Sequence, residues 1–174
     1  MNRKLKFSLL LIIVLACSAC ASKITSITSQ PTSHKIQKLA VTIHGGVMAE
    51  ALTRALNKQG FNAVKLADFY RLLERINMKE VNPSDPSSLV KLYEADGIDA
   101  FVLSRTTSVD ELTGYPNTVI VTVYSTRDGR KLVDLEWENI RTLQRSNSLA
   151  ENSPKEDIDV AAEKIVKELV KHLR

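Results

Sequence analysis

The two cysteines of the chain, Cys17 and Cys20, are the residues whose type and spacing most directly suggest chemistry. A Cys-x-x-Cys spacing is used by redox motifs and by zinc sites. Redox motifs of this kind stand at the start of a helix inside a folded domain, whereas these cysteines follow a short apolar run. A zinc site needs two further ligands, and the nearest histidine, His34, has no second histidine close by. The spacing therefore favours neither use.

The residues before the cysteines form a leader. The stretch "MNRKLK" carries three basic residues, and the apolar run 7–16 has 10 residues, half of the ~20 that a helix needs to span a bilayer. A short basic segment followed by a short apolar run and small residues is typical of a secretory leader. Residues 1–16 are therefore predicted to be a signal peptide and to lie outside the fold.

Small residues directly before each cysteine resemble the bacterial lipobox, in which the cysteine thiol is acylated and becomes the new N-terminus. Cys17 follows "VLA", with an apolar residue first and a small residue last. Cys20 follows "CSA", with an unusual cysteine in the first position. Cys17 is the predicted lipidation site, and Cys20 is the alternative.

The residue after the acylated cysteine indicates the destination of a lipoprotein. It is Ser18 if Cys17 is acylated and Ala21 if Cys20 is acylated. Neither is the Asp that holds lipoproteins of the enteric type at the inner membrane. The resemblance implies an outer-membrane protein that faces the periplasm and is held by palmitate and related acyl chains. Two or more such chains give stable anchoring without a transmembrane helix.

The charge balance argues against nucleic acid as a partner. The chain has 24 basic and 20 acidic residues, and without the leader 21 basic residues remain. The mature protein is nearly neutral, so it has no strong field to attract a nucleic acid. We therefore expect a membrane and proteins as its partners.

The turn "IHGG" at residues 43–46 is the most suggestive stretch after the leader. His-Gly-Gly after a strand resembles part of the oxyanion loop of some α/β hydrolases, but the sequence lacks their Gly-x-Ser-x-Gly elbow. Glycines between a strand and a helix can also bind phosphate, yet neither of the common phosphate-binding glycine motifs occurs. We interpret the stretch as a tight strand-to-helix turn. Ligand binding at His44-Gly45-Gly46 is the alternative.

The remaining polar residues predict no catalytic, cofactor or metal site. His34, His44 and His172 fall in separate segments and lack the spacing of metal-binding histidines. Asp157 and Asp159 stand at the start of a predicted helix, where acidic residues favour the helix dipole. The sequence therefore predicts a protein that is not an enzyme.

Hydrophobic periodicity predicts an α+β fold, a mixed α/β sandwich of about five strands with helices packed on the sheet. The order β-α-β-α-α-β-β-β-α places strands at 38–43, 61–66, 98–106, 117–126 and 130–139, and helices at 46–60, 67–77, 87–94 and 155–173. Asp128-Gly129 between the last two strands is a strong hairpin signal. Trp137 is the predicted core anchor, and the inward face of the first helix is predicted to be Val47, Met48, Ala51, Leu52, Ala55 and Leu56.

The domain organisation follows from composition. Residues 17–36 are dense in Ser and Thr and offer little that forms a core, so we predict a tether. Residues 37–174 suit a single globular α/β domain.

Several stretches resemble the CsgG/TolB N-terminal-domain-like family of envelope lipoproteins. "KLAVTI" lies where that family has its first buried strand, and "MAEALTRALNKQGFNAVKLADFYRLLE" is similar to its helix-strand-helix unit. "YEADGIDAFVLSRTTSV" and "VTVYSTRDGRKLVD" resemble its central strand and its hairpin. The resemblance covers most of residues 38–174 and contains no catalytic signature. In size and plan the chain is most similar to the family's small polysaccharide-export lipoproteins.

The resemblance implies a structural, homo-oligomeric component of an export or envelope-assembly machine, with envelope or export proteins as partners. The alternative is a regulator that docks onto a periplasmic envelope-biogenesis enzyme, as the family's synthase activators do. Those activators cross the cell wall on long tethers, so the short tether here argues against that role. The helix-to-strand connections are also too short for the extra segments of the family's channel-forming member, so we expect no pore.

Overall fold

The computed structural model describes residues 22–32, 34–109, 115–139 and 156–174. Within these ranges one sheet of six strands carries four helices. The strands are β1 (Ser22–Ser29), β2 (Lys38–Val41), β3 (Asn62–Ala63), β4 (Ala100–Val109), β5 (Pro116–Ser125) and β6 (Lys131–Asn139). The helices are α1 (Gly46–Lys58), α2 (Leu66–Arg75), α3 (Pro86–Asp96) and α4 (Ile158–Leu173). None of these described helices is long and apolar enough to cross a bilayer.

The sheet is mixed, with the strand order β1-β6-β5-β4-β2-β3. β2 runs parallel to β3 and β4, whereas β4, β5, β6 and β1 form an antiparallel set. All nine predicted elements are present in the predicted order, so the α+β class is confirmed. The sheet has six strands instead of about five, because β1 adds a strand at its edge.

β1 lies inside the stretch that the composition predicts as a tether. It pairs antiparallel with β6, with Ser22 opposite Asn139. A β-bulge between Ser26 and Thr28 interrupts the pairing, and a bulge shifts the alternation of side chains between the two faces. Residues 22–29 therefore belong to the sheet, and the structure differs there from the predicted tether.

Helix ends follow from local chemistry. Asp85 caps α3, its side chain accepting a hydrogen bond from the Ser87 backbone N–H at 3.0 Å, and Pro86 occupies the first helical position. Gly97 ends this helix with a left-handed φ of 62°. Asp157 caps α4 in the same way, accepting from the Asp159 N–H at 2.7 Å. The two acids at the start of α4 thus stabilise the helix, as the sequence predicts.

The main core lies between the sheet and the helices α1 and α4. Trp137 of β6 is fully buried there and confirms the predicted core anchor. The predicted inward residues of α1 are buried except Val47, which is exposed. Val47 lies seven positions before Arg54 and eleven before Lys58, so it shares their outer side of the helix. The prediction that Val47 faces the core is therefore wrong.

A second, smaller core lies on the other face of the sheet. It joins α2 and α3 to β2 and β4, and Phe69 packs against Phe101 with ring centroids 6.1 Å apart. On β6 the same face carries the acidic residues Asp134, Glu136 and Glu138, none of which is fully buried. Helices thus cover one face along most of the sheet, and polar side chains occupy part of the other.

Candidate functional site

The "IHGG" turn is built for close packing. It forms a 3-10 turn at Ile43–Gly45 between β2 and α1. A Cβ atom on Gly45 would lie 2.7 Å from the Ala49 Cβ and 3.2 Å from the Thr42 Cγ2, which is too close for any side chain. Gly46 has a φ of +55°, which favours glycine. Packing and backbone geometry account for both glycines, and the predicted strand-to-helix turn is confirmed.

The histidine of this turn is exposed. The His44 Nε2 lies 3.8 Å from the Glu80 Oε2, and both side chains are largely in solvent. Across the described part of the chain, no three His, Cys, Asp or Glu side chains are placed to hold a metal ion. His172 lies far along the chain in the last turn of α4, 3.8 Å from the Glu168 carboxylate. The geometry gives His44 an exposed carboxylate as a neighbour and no catalytic partner among the residues described.

A buried carboxylate lies at the end of the sheet where β2 and β4 begin. Asp99 is 6% exposed. Its Oδ2 accepts hydrogen bonds from the backbone N–H groups of Gln37 and Lys38, both at 3.0 Å, and its Oδ1 accepts one from the Arg127 Nη2 at 3.1 Å. Burial alone disfavours ionisation, but the two backbone donors and the guanidinium outweigh it and lower the pKa of Asp99. Asp99 is therefore ionised at neutral pH.

Contacts around Asp99 join three segments that are far apart in sequence. The Arg127 guanidinium lies 4.5 Å from the centre of the Tyr93 ring, a cation–π contact. The Lys38 Nζ lies 2.9 Å from the Asp96 Oδ2. We call Lys38, Tyr93, Asp96, Asp99 and Arg127 the Asp99 cluster. Its hydrogen bonds and ion pairs are made to other residues of the fold. The cluster therefore has a structural role, in which it joins β2, the α3–β4 connection and the β5–β6 turn.

The opposite end of the sheet is the one that the predicted anchor enters. Four strand ends meet there, two from each of the pairs β1–β6 and β4–β5. We call this end of the sheet the anchor-side end and define it by the last paired residues, Ser22, Asn139, Pro116 and Val109. The row of paired residues just inside it runs from Lys23 through Glu138 and Thr118 to Ser108. The four ends therefore lie at one level, across roughly 14 Å of sheet.

Lys164 of α4 and Glu156, which precedes this helix, bond to one side of the anchor-side end. The Lys164 Nζ donates a hydrogen bond to the Ser22 Oγ at 3.1 Å and forms an ion pair with Glu156. The Tyr115 hydroxyl donates to the Glu156 carbonyl oxygen. Burial, together with the charges of Glu156 and Asp157, raises the pKa of Tyr115 to about 12. Tyr115 thus remains a protonated donor, and these bonds hold β1 and α4 together where the chain enters the domain.

The predicted lipidation residues Cys17 and Cys20 lie outside the described residues. The described chain begins at Ser22, 5 positions after Cys17 and 2 positions after Cys20. The structure therefore brings the entry point of the predicted anchor to the sheet itself. Sequence reasoning missed this proximity because it took the intervening residues as a tether.

No family profile and no curated protein sequence matches the chain. Among solved structures, the chain is similar to the lipoprotein GNA1162 from Neisseria meningitidis, with 16% identity, a TM-score of 0.46, and coverage of 79% of this chain and 99% of that one. It is also similar to the PelC dodecamer from Paraburkholderia phytofirmans, with 8% identity, a TM-score of 0.46, and coverage of 88% and 97%. A variant of PelC gives 10% identity and a TM-score of 0.45. At these low identities and TM-scores, the likeness carries no conclusion about what this chain binds or assembles into, and the family resemblance of the sequence stays a prediction.

Proposed function

We propose that the chain is an outer-membrane lipoprotein that faces the periplasm and serves, without catalysis, as a structural component of an export or envelope-assembly machine. The observation that carries this proposal is the continuity between anchor and sheet. A leader that ends in two candidate lipid-bearing cysteines is followed within 5 residues of Cys17 by β1. A domain joined so directly to its anchor suits a fixed part of an assembly.

The same observation favours this role over that of a regulator docking onto a periplasmic enzyme. Residues 22–29 are used in the sheet, so only residues 18–21 connect Cys17 to the folded domain. Even fully extended, this connection spans about 17 Å. Such a reach confines the domain to partners that lie beside the membrane.

Partners are expected to be envelope or export proteins and further copies of this chain. Among the strands that the structure describes, β1 has β6 as its one neighbour, so its outer backbone edge offers a site for pairing with another strand. Five of its eight residues are Ser or Thr, so the edge is polar and suits a regulated contact better than indiscriminate aggregation. No cofactor and no nucleic acid is part of the proposed role.

The anchor is tested by intact-mass analysis of protein extracted from membranes. Wild type should carry acyl chains, the Cys17→Ala variant should lose them and leave the membrane fraction, and the Cys20→Ala variant should keep them. Retention of lipid by Cys17→Ala together with its loss from Cys20→Ala would move the site to the alternative cysteine. A wild-type protein with no lipid at either cysteine contradicts the proposal.

The structural role is tested by light scattering of the lipidated protein after size exclusion, with pull-down from envelope extracts alongside. We expect a discrete assembly of several copies, or a stable complex with an envelope protein. A monomer that captures no envelope protein would contradict the structural role while leaving the anchor intact.

A further inference from the structure

We propose that β1 of one copy pairs antiparallel with the far edge of β4 in the next copy, so that the sheets of neighbouring copies join. The partner is a second copy of this chain, and the two surfaces are opposite edges of the antiparallel set. This inference deepens the proposed function and rests on it, because it says how copies of the lipoprotein assemble with one another.

The first argument is a difference in length between β4 and its parallel neighbour. β2 pairs with β4 along Ala100–Val102, and the Thr42 N–H adds a hydrogen bond to the Val102 carbonyl oxygen at 2.8 Å. β4 continues over residues 103–109, which remain paired with β5 through two register shifts. On the β2 side, none of the described strands pairs with this stretch, and its last five side chains are exposed. Residues 103–109 therefore form a second strand edge that can pair with another chain.

The second argument is that β1 matches this edge in position and direction. Two rows of paired residues cross the antiparallel set, one through Thr25, Glu136, Ile120 and Arg105 and the other through Lys23, Glu138, Thr118 and Ser108. β1 and the 103–109 stretch of β4 thus lie at the same level on opposite sides. Three antiparallel pairings separate the two strands, so they run in opposite directions. Two copies placed side by side without a shift therefore bring β1 against β4 as an antiparallel pair.

The third argument is the anchor. Ser22 begins β1 at 5 positions after Cys17 and 2 positions after Cys20. Acylation at either cysteine therefore holds the start of β1 within about 17 Å of the membrane in every copy. Pairing of β1 with β4 keeps all anchors at the same end of the joined sheet. Antiparallel pairing of two β1 edges would instead direct their anchors towards opposite ends, so the anchor favours β4 as the receiving edge.

The charges along the two edges are compatible with this pairing. Without a shift between the copies, Lys23 lies opposite Ser108 and Arg105 lies opposite Thr25. Like charges directly opposite each other destabilise a strand pair, and none meet here. The remaining residues of both edges are largely Ser and Thr. The edges therefore pair through backbone hydrogen bonds without a charge conflict.

An apolar contact adds a preference for this register. Ile27 is 54% exposed on β1, and alternation along the strand places it on the face opposite the main core. It lies between the rows that lead to Ser104 and to Leu103. Leu103 is on the same face and packs against the smaller core. The pairing brings Ile27 of one copy next to Leu103 of the next, so an exposed apolar side chain gains an apolar neighbour.

The test is a disulfide that forms only between copies. Thr25→Cys and Arg105→Cys are combined in the full lipidated chain, and whichever of Cys17 and Cys20 is not acylated is replaced by Ser. Within one copy the two positions are three strand spacings apart, roughly 14 Å, which exceeds the ~7 Å between Cα atoms that a disulfide allows. Membranes that contain the protein are oxidised, and the products are separated without reductant.

We expect the double variant to give a ladder of dimers and larger products. The ladder should be about tenfold stronger than that of a Thr25→Cys/Asp128→Cys control, whose second position lies in the β5–β6 turn, out of disulfide range of the proposed contact. Dimers of Thr25→Cys alone would show two β1 edges paired with each other and overturn the inference. No ladder in protein that light scattering shows to be assembled would also overturn it, while the proposed function stands. A monomer that captures no envelope protein overturns both.

A charge at the apolar contact gives an independent measurement. Ile27→Asp places a carboxylate beside Leu103 of the next copy and should weaken self-association about tenfold in light scattering, because an unpaired charge is costly to bury. Val160→Asp is the control, because it replaces another exposed apolar side chain, on α4, and should leave the assembly unchanged. Thermal unfolding checks that both variants are folded. Equal assembly of the two variants would overturn the contact between β1 and β4.

Discussion

The two ends of the sheet are organised in opposite ways. At one end the Asp99 cluster ties β2, the α3–β4 connection and the β5–β6 turn together with a buried carboxylate, backbone donors and a guanidinium. At the other end the last five residues of β4, Arg105–Val109, are all exposed. The described bonds at this second end, from Lys164 to Ser22 and from Tyr115 to Glu156, join only β1 and the start of β5 to the α4 segment. One end is thus held by a buried charge with several donors, and the other by bonds along one side.

The largest loss of stability should come from replacing Trp137, which lies in the main core close to the anchor-side end. Trp137 lies two positions before Asn139 and packs against α4 in the main core. Trp137→Ala should lower the free energy of unfolding by about 3–5 kcal/mol, because it leaves a large cavity. Glu138→Gln, on the next residue and the opposite face, should change it by less than about 0.5 kcal/mol. Urea unfolding measures both, and similar losses for the two variants would contradict the assignment of faces.

Replacing Asp99 should cause the next largest loss of stability. Asp99→Asn removes the charge that two backbone donors and Arg127 satisfy, and should cost about 2–4 kcal/mol. Asp96→Asn is the control, because its ion pair with Lys38 is more exposed, and it should cost below about 1 kcal/mol. If both variants unfolded at the same urea concentration as the wild type, the cluster would not secure its end of the sheet.

The same carboxyl predicts a pH dependence. The pKa of Asp99 is lower in the folded state than its ordinary value. Its stabilising contribution is therefore complete above the unfolded pKa of about 4 and is lost as the pH falls through the folded pKa. Asp99→Asn should lack this component, so the stability difference from wild type should shrink below about pH 4. A difference that stays constant from neutral to acidic pH would contradict the ionised state of Asp99.

Substitutions in the "IHGG" turn should cause a smaller loss of stability, and the loss should differ between the neighbouring residues Gly45 and His44. Gly45→Ala forces a Cβ against Ala49 and Thr42 and should cost about 1–3 kcal/mol. His44→Ala, on the exposed side of the same turn, should change stability by less than about 0.5 kcal/mol. Thermal unfolding of the two variants tests this structural interpretation. A large loss from His44→Ala would return attention to ligand binding at this turn.

The smallest effect is expected at the anchor-side end itself. Val109→Ser removes an exposed apolar side chain and should change the free energy of unfolding by less than about 0.5 kcal/mol. A loss of stability as large as that of Asp99→Asn would show that this end is also part of the core, and the contrast between the two ends would fail.

Elements with a local signal were predictable from the sequence. The hairpin at Asp128-Gly129 has a turn residue that needs positive φ, and Gly129 has a φ of 71°. The burial of Trp137 follows from the alternation along β6. β1 was missed because its two apolar residues, Ile24 and Ile27, are three positions apart and match no strand period. Alternation along the strand places Ile27 on the face opposite Ile24, so Ile24 packs against the core while Ile27 is 54% exposed.

The Asp99 cluster could not be predicted from local sequence patterns, for a different reason. Asp96 and Asp99 stand on either side of Gly97, a position that by itself indicates only a turn. The partners of Asp99 lie 28 and 62 positions away, at Arg127 and Gln37. Nothing in the sequence identifies either residue as a partner of Asp99, because arginines and backbone N–H groups occur throughout any chain. The parallel pairing of β2 with β4 brings Gln37 to Asp99, and the antiparallel pairing of β4 with β5 brings Arg127 to it.

The position of β1 in the sheet has a consequence for how the chain folds. Ser22 pairs with Asn139, 117 positions later in the chain, so β1 cannot pair in the sheet until β6 has been synthesised. Long-range pairing of this kind is slow, and a waiting strand is exposed to other chains. An apolar strand in that situation invites aggregation, whereas the Ser- and Thr-rich sequence of β1 stays hydrated until β6 arrives. The polar composition that resembles a tether is thus a property that suits the strand to its late assembly.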